Sequence, residues 1–168
     1  MKYIQWINNL LAKIETTFLI LCLSTMILLS FTQVILRNFF STSLFWGDTF
    51  LRHLVLWVAF LGASLATKEN RHINIDVLSR VLSPGIKRIA DIFTNFFAAV
   101  VSFFLMKAAI TFIGFEKESG SILFAGIPVW IFQIIIAIGF GLMMFRFFLH
   151  ALEKLLTIRK VKLEEEPS

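Results

Sequence analysis

Four predominantly apolar runs, separated by short polar clusters, dominate the chain. The first covers residues 16–36, between Lys13 and Arg37, and the second covers 44–66, ending at Lys68-Glu69-Asn70-Arg71. The third covers 89–113 and the fourth 122–149, with Ile122 and Pro128 as alternative starting points for the last. A helix needs roughly 20 mostly apolar residues to cross a hydrocarbon layer ~30 Å thick, so every run is long enough. Backbone amides in lipid must be paired within their own segment, which selects helices over open strands. The predicted fold is an all-α membrane protein with four transmembrane helices in a single domain, residues 1–168.

Ahead of the first span, Ile4, Ile7, Leu11 and Ile14 recur at helical spacing, with Lys2, Gln5, Asn8 and Lys13 elsewhere on the wheel. Residues 1–14 therefore read as an N-terminal amphipathic helix that lies at the interface and then turns into the span. The first apolar run is too long for a signal-peptide core and no small-residue cleavage pattern follows it, so it is expected to be retained. Ser83-Pro84-Gly85 predicts a turn before the third helix. Residues 150–168, ending Glu164-Glu165-Glu166-Pro167-Ser168, form a solvated tail. No internal repeat is visible.

Charge sets the orientation. Of the 16 Lys and Arg residues, twelve fall in the N-terminal segment, the second connection and the C-terminal end. Only Arg37 and Lys117 fall on the opposite side, while Arg52 and Lys107 lie within spans. The excess places both termini in the cytoplasm. Composition agrees with a lipid setting: 58% of residues are hydrophobic, 16% are charged and 20 are Phe. Mean hydropathy is +0.82. The net charge of +5 therefore reads as cytoplasmic loops facing anionic headgroups, and no basic stripe or fold signature points to nucleic acid. The lone Cys22 excludes a disulfide framework, a zinc cluster and a thiol pair.

Charges within spans are costly and so are functional candidates. Asp48 and Arg52 lie four residues apart near the outer start of the second helix, on one face, with Trp46 at headgroup depth. They can pair to let the helix insert, anchor another membrane subunit, or relay a proton or ion. His53 raises the possibility of haem, but its candidate partner His150 differs in depth by roughly 20 Å at the helical rise, which excludes paired axial ligation. Lys107 is expected to snorkel outward toward Glu116 or the headgroups, and Asp91 to complement the dipole at the start of the third helix. Arg146 and His150 read as interface anchors. Gly62 and Ala66, and Ala137 and Gly141, have the small-residue spacing that permits close helix approach. His72 and Asp76 follow the second helix, as a polar elbow or a metal pair short of ligands. No phosphate loop, nucleophile elbow or carboxylate dyad is present, so no enzyme and no cofactor is expected in this chain.

Taken together, the pattern resembles the small membrane subunit, of DctQ type, of tripartite ATP-independent periplasmic (TRAP) transporters. The similarity covers nearly the whole chain. Family members commonly carry Trp-x-acidic-acidic, an Arg three residues on, Leu-Gly-Ala, and then a His-Ile-x-x-Asp-like element. Here these are Trp46, Asp48, Arg52, Leu61-Gly62-Ala63 and His72-Ile73-Asn74-Ile75-Asp76. Ile127-Pro128-Val129-Trp130 opens the fourth helix in a similar way, with Gly139 farther along. Thr49 stands where the family often has a second carboxylate, which leaves an anchor built on Asp48 and Arg52.

The resemblance implies a chain without its own chemistry in the bacterial inner membrane. It implies a large many-span partner that holds the substrate and sodium sites, a periplasmic binding protein that delivers an organic acid, and a scaffold role for the small subunit. Sialic acid and C4-dicarboxylates are the family's precedents. Two other classes remain to be distinguished: a self-sufficient homo-oligomeric transporter, and the membrane anchor of a redox complex.

Overall fold

A computed structural model describes residues 2–68, 84–124 and 126–164. Four helices are long and apolar enough to cross a membrane. They are α1 (Lys2–Phe40), α2 (Gly47–Lys68), α3 (Pro84–Ser119) and α4 (Val129–Glu164). With 22 residues, α2 rises about 33 Å and matches the hydrocarbon layer. The 39 residues of α1 and 36 each of α3 and α4 reach well over ~50 Å, so these helices project beyond it.

Element boundaries depart from the sequence reading in three places. No turn separates an interfacial segment from the first span, because α1 is one uninterrupted helix through residues 14–16. Ala12 and Glu15, nearly one turn apart on that stretch, are both buried against the other helices, and a continuous axis keeps them there. The third helix starts at Pro84 rather than beyond a turn. Proline suits a first helical turn, where its missing N–H leaves no bond unmade. The fourth helix starts after Pro128, the later of the two starting points.

The apolar stretch at 122–128 is instead an antiparallel hairpin of β1 (Ile122–Phe124) and β2 (Ile127–Pro128), which pairs Ile122 with Pro128 and Phe124 with Ile127. Gly120 (φ 68°) and Gly126 (φ 78°) supply the left-handed backbone that lets the chain leave α3 and reverse. Pro128 in turn holds the residue before it extended.

The helices form an open row rather than a closed bundle. α1 packs on α2, α2 on α4, and α4 most extensively on α3, with only sparse contacts between other helix pairs. α1 and α3 therefore each keep a wide face uncovered. Hydroxyls are satisfied locally, as lipid requires: Thr16, Thr17, Thr25, Thr32, Thr67 and Thr111 each donate to the carbonyl four residues earlier.

Contact between α2 and α4 is aromatic at one end and tight in the middle. Phe132 of α4 meets Phe50 and His53 edge-on, at centroid distances of 5.9 and 5.6 Å. Its carbonyl accepts from Trp57 Nε1 at 2.9 Å. Farther along, Phe60 stacks edge-on against Phe140 at 5.1 Å and lies directly over Gly139. Trp57→Phe keeps the ring packing and removes one interhelical hydrogen bond. Its expected cost is about 0.5–1.5 kcal/mol, read as a lowered unfolding midpoint in detergent.

Candidate functional site

A buried polar seam joins α1, α2 and α4 near the C-terminal end of α2. Arg146 is 1% exposed, Glu15 4% and Ser64 0%. Arg146 Nη2 donates to Glu15 Oε2 at 2.7 Å, its Nη1 to Ser64 Oγ at 2.8 Å, and its Nε to Asn8 Oδ1 at 3.2 Å. Nη1 also donates to the Ser64 carbonyl. Ser64 Oγ in turn donates to Glu15 Oε1 at 3.1 Å, so both carboxylate oxygens accept a bond.

One turn along α4, His150 Nε2 donates to the Thr67 carbonyl at 3.2 Å; that carbonyl can only accept, so the ring proton sits on Nε2. Thr67 lies in the last turn of α2, where carbonyls lack helical partners. The seam thus holds a buried acid and base with both carboxylate oxygens engaged.

This arrangement changes the reading of Arg146 and adds Glu15 to the site. Arg146 does not anchor at the interface; it is enclosed by protein, because Glu15 and Ser64 offer partners that lipid cannot. Glu15 was not singled out from sequence, since it stands one residue before the first apolar run. The available signal was an acid at the start of the first span and a base on the fourth at the same end of the membrane. His53 bonds the Thr49 carbonyl through Nδ1 at 2.8 Å, and His150 bonds that of Thr67. Those carbonyls are 18 residues apart on α2, about 27 Å, so the two histidines stand at opposite ends.

At the other end of α2, Asp48 and Arg52, for which an ion pair was one of three alternatives, are not paired with each other. Both residues are exposed, and Asp48 is engaged by Gln33 of α1 instead. Oriented by this network, the Gln33 amide donates to Asp48 Oδ1 and accepts from the Asp48 backbone N–H, each at 3.3 Å. A side chain at Gly47 would put its Cβ 2.0 Å from the Gln33 amide, which explains the glycine ahead of Asp48. Trp46, exposed beside them, meets Phe50 edge-on at 6.1 Å.

Other candidates fall elsewhere. Lys107 does not reach Glu116; its Nζ lies 5.9 Å from the Phe103 ring, one turn back on α3. Asp91 is two turns inside α3 rather than at its start, and pairs with Lys154 of α4 at 2.5 Å. A Cβ at Gly62 would meet Leu19 of α1 at an ordinary 3.8 Å, and one at Gly141 would lie 3.3 Å from Met106 Sδ. Ala66 and Ala137 are half-buried. Between α2 and α4 the tight approach is at Gly139, where a Cβ would lie 2.6 Å from Phe60 Cδ1. His72 and Asp76 lie outside the described residues.

With four membrane-length helices and a buried polar seam in place, comparison with known proteins decides the family. The family described as "Tripartite ATP-independent periplasmic transporters, DctQ component" matches residues 26–157. The chain belongs to the DctQ family.

The matched segment includes Ser64 and Arg146 but ends short of Asn8 and Glu15. Among similar proteins is the ectoine TRAP transporter small permease protein TeaB of Halomonas elongata. It is 30% identical over 135 residues, which is 80% of this chain and 70% of TeaB. A putative TRAP transporter small permease protein of Haemophilus influenzae is 32% identical over 93 residues, 54% of this chain and 58% of that protein. The sialic acid TRAP transporter permease protein SiaT of Haemophilus influenzae is 30% identical over 117 residues, covering 68% of this chain but only 18% of SiaT. The chain is accordingly a small permease subunit of a TRAP transporter, a multi-pass membrane protein.

Proposed function

We propose that this chain is the scaffold of its transporter. In this reading the whole chain is one domain of the bacterial inner membrane with both termini in the cytoplasm. It braces a large many-span partner during sodium-coupled uptake of an organic acid, which a periplasmic binding protein delivers. The sodium and substrate sites belong to the partner.

The observation that carries the reading is the open row of helices. Its outer members present wide apolar faces, with Ile27 and Phe31 of α1 and Phe93, Phe97 and Phe104 of α3 each 60–70% exposed. The polar groups of the seam are hydrogen-bonded to one another, as suits an element against which another domain moves. The SiaT match supports a large partner: a segment similar to this chain is 18% of a single longer permease there.

Asp48 and Arg52, with Trp46, are proposed as the outer anchor, and His72 and Asp76 as a contact at the opposite end. Asp48→Ala or Arg52→Ala is expected to weaken assembly by about 1 kcal/mol, roughly a fivefold loss of complex, with uptake falling in step. Normal complex yield and uptake in both variants would remove the pair from the mechanism. Reconstitution tests the function itself. The purified chain alone should give no flux in liposomes, and sodium-dependent uptake should require the large subunit and the binding protein together. Flux from the chain alone would contradict the scaffold.

A further inference from the structure

A groove of about 640 Å³ runs between α1 and α2 at the end that carries the N-terminus of α1 and the C-terminus of α2. Asn9, Ala12, Lys13, Thr16, Thr17, Leu65 and Lys68 line it. That volume lies within the range of small-molecule sites. Among the described residues no carboxylate lines the groove: Glu15, beside Thr16 in sequence, turns away to Arg146. Thr16 and Thr17 spend their hydroxyl protons on helix carbonyls, so the donors left for a ligand are the two ammonium groups and the Asn9 amide.

Below these donors the floor is apolar, from Ala12 and Leu65. The α1 positions that line the groove share one helical face, and the same stripe continues toward the membrane centre as Ile20, Leu23 and Ile27, all exposed. A site with two cations and an amide at its mouth, opening onto an apolar track along a spanning helix, matches an anionic headgroup on an acyl chain.

We propose that this groove binds one anionic phospholipid. Lys13, Lys68 and Asn9 hold its phosphodiester, and an acyl chain lies along Ile20, Leu23 and Ile27. Both lysines are at one end of the α1–α2 pair whichever side of the membrane that end faces, so the site does not depend on the proposed orientation or on the scaffold role. A phospholipid rather than free phosphate is favoured by the apolar track, which would give free phosphate nothing. Bound there, the lipid bridges α1 to α2 alongside the polar seam.

The test is native mass spectrometry of the full chain, purified with its membrane partner in mild detergent. Phosphatidylglycerol is titrated in parallel with phosphatidylcholine of identical acyl chains, with inorganic phosphate as competitor. One phosphatidylglycerol should be retained in clear preference to phosphatidylcholine, and millimolar phosphate should not displace it. At the usual contribution of a basic residue near a headgroup, Lys13→Gln or Lys68→Gln should weaken retention about fivefold, and the double variant about 30-fold. Replacing both by Arg should restore it, which separates charge from folding. Lys117→Gln, at the opposite end of the protein, should change nothing. Equal retention of the two lipids, an unaffected K13Q/K68Q variant that keeps its unfolding midpoint, or displacement by phosphate alone would overturn the proposal.

Discussion

Arg146→Ala is expected to be the most damaging single substitution in this chain, lowering stability by about 3–5 kcal/mol. The loss of its own contacts is the smaller part of that cost. Glu15, 4% exposed, would keep a carboxylate facing Ser64 with no cation beside it, and Asn8 would lose the partner of its amide oxygen. Glu15→Ala should be comparably harmful, because it strands a guanidinium that is 1% exposed. The double variant Glu15→Leu/Arg146→Met should recover most of the loss, since apolar replacement of a whole buried pair is often neutral or stabilising. Ser64 can then turn its hydroxyl to the helix carbonyl four residues back.

A double-mutant cycle, read from unfolding of the detergent-solubilised protein in SDS, measures the coupling directly. Additive single and double effects would mean that the pair is not the tie between α1 and α4. Because α1 packs extensively only on α2, the bonds of Glu15 and Asn8 to Arg146 tie it directly to α4. Breaking them is expected to loosen the N-terminal helix before the α3–α4 pair.

The second large effect is expected at Gly139. In a helix interior alanine is usually better than glycine by nearly ~1 kcal/mol. At Gly139 that gain is overridden. The new Cβ would lie 2.6 Å from Phe60 Cδ1 and 2.9 Å from Phe60 Cβ. Rotating the ring can relieve the first contact, but the second is fixed to the backbone, so α2 and α4 must separate. The expected net loss is about 1–3 kcal/mol, with a larger loss for Gly139→Leu. Gly114→Ala provides the opposite sign on α3, because a Cβ there meets nothing within 4 Å and propensity alone should stabilise. Equal midpoint shifts in the two alanine variants would show that the Phe60 contact does not limit the approach of α2 to α4.

Much of the architecture was legible in the sequence because lipid imposes a simple rule. Twenty apolar residues must make a helix, and four such runs make four. The ends were less legible, since hydropathy marks where a helix meets lipid and not where its backbone stops. Thus α1 continues straight through the amphipathic segment, and α3 begins at Pro84 within a polar stretch. Ile122, Leu123 and Phe124 look like the start of a span, yet Gly120, Gly126 and Pro128 turn them into a hairpin.

The seam was the least legible part. Whether Glu15 faces lipid, water or Arg146 depends on which helices are neighbours and at what depth they align, which local pattern does not encode. Asp48 and Arg52 show the converse. Helical spacing puts them on one face, but the Gln33 amide of α1 takes the carboxylate first. The glycine that sets helix approach proved to be Gly139, singled out from sequence only through the family resemblance and not for its spacing.

The central claim is that this small permease subunit acts as a static part of a larger machine. The most direct test is tagged purification from native membranes in mild detergent, with every co-purifying protein identified by mass spectrometry. The account predicts a stoichiometric, much larger multi-span partner, retained by the wild type and by Glu15→Leu/Arg146→Met but depleted by Arg146→Ala. A homogeneous homo-oligomer without any such partner, from membranes that express the other transporter components, would contradict it.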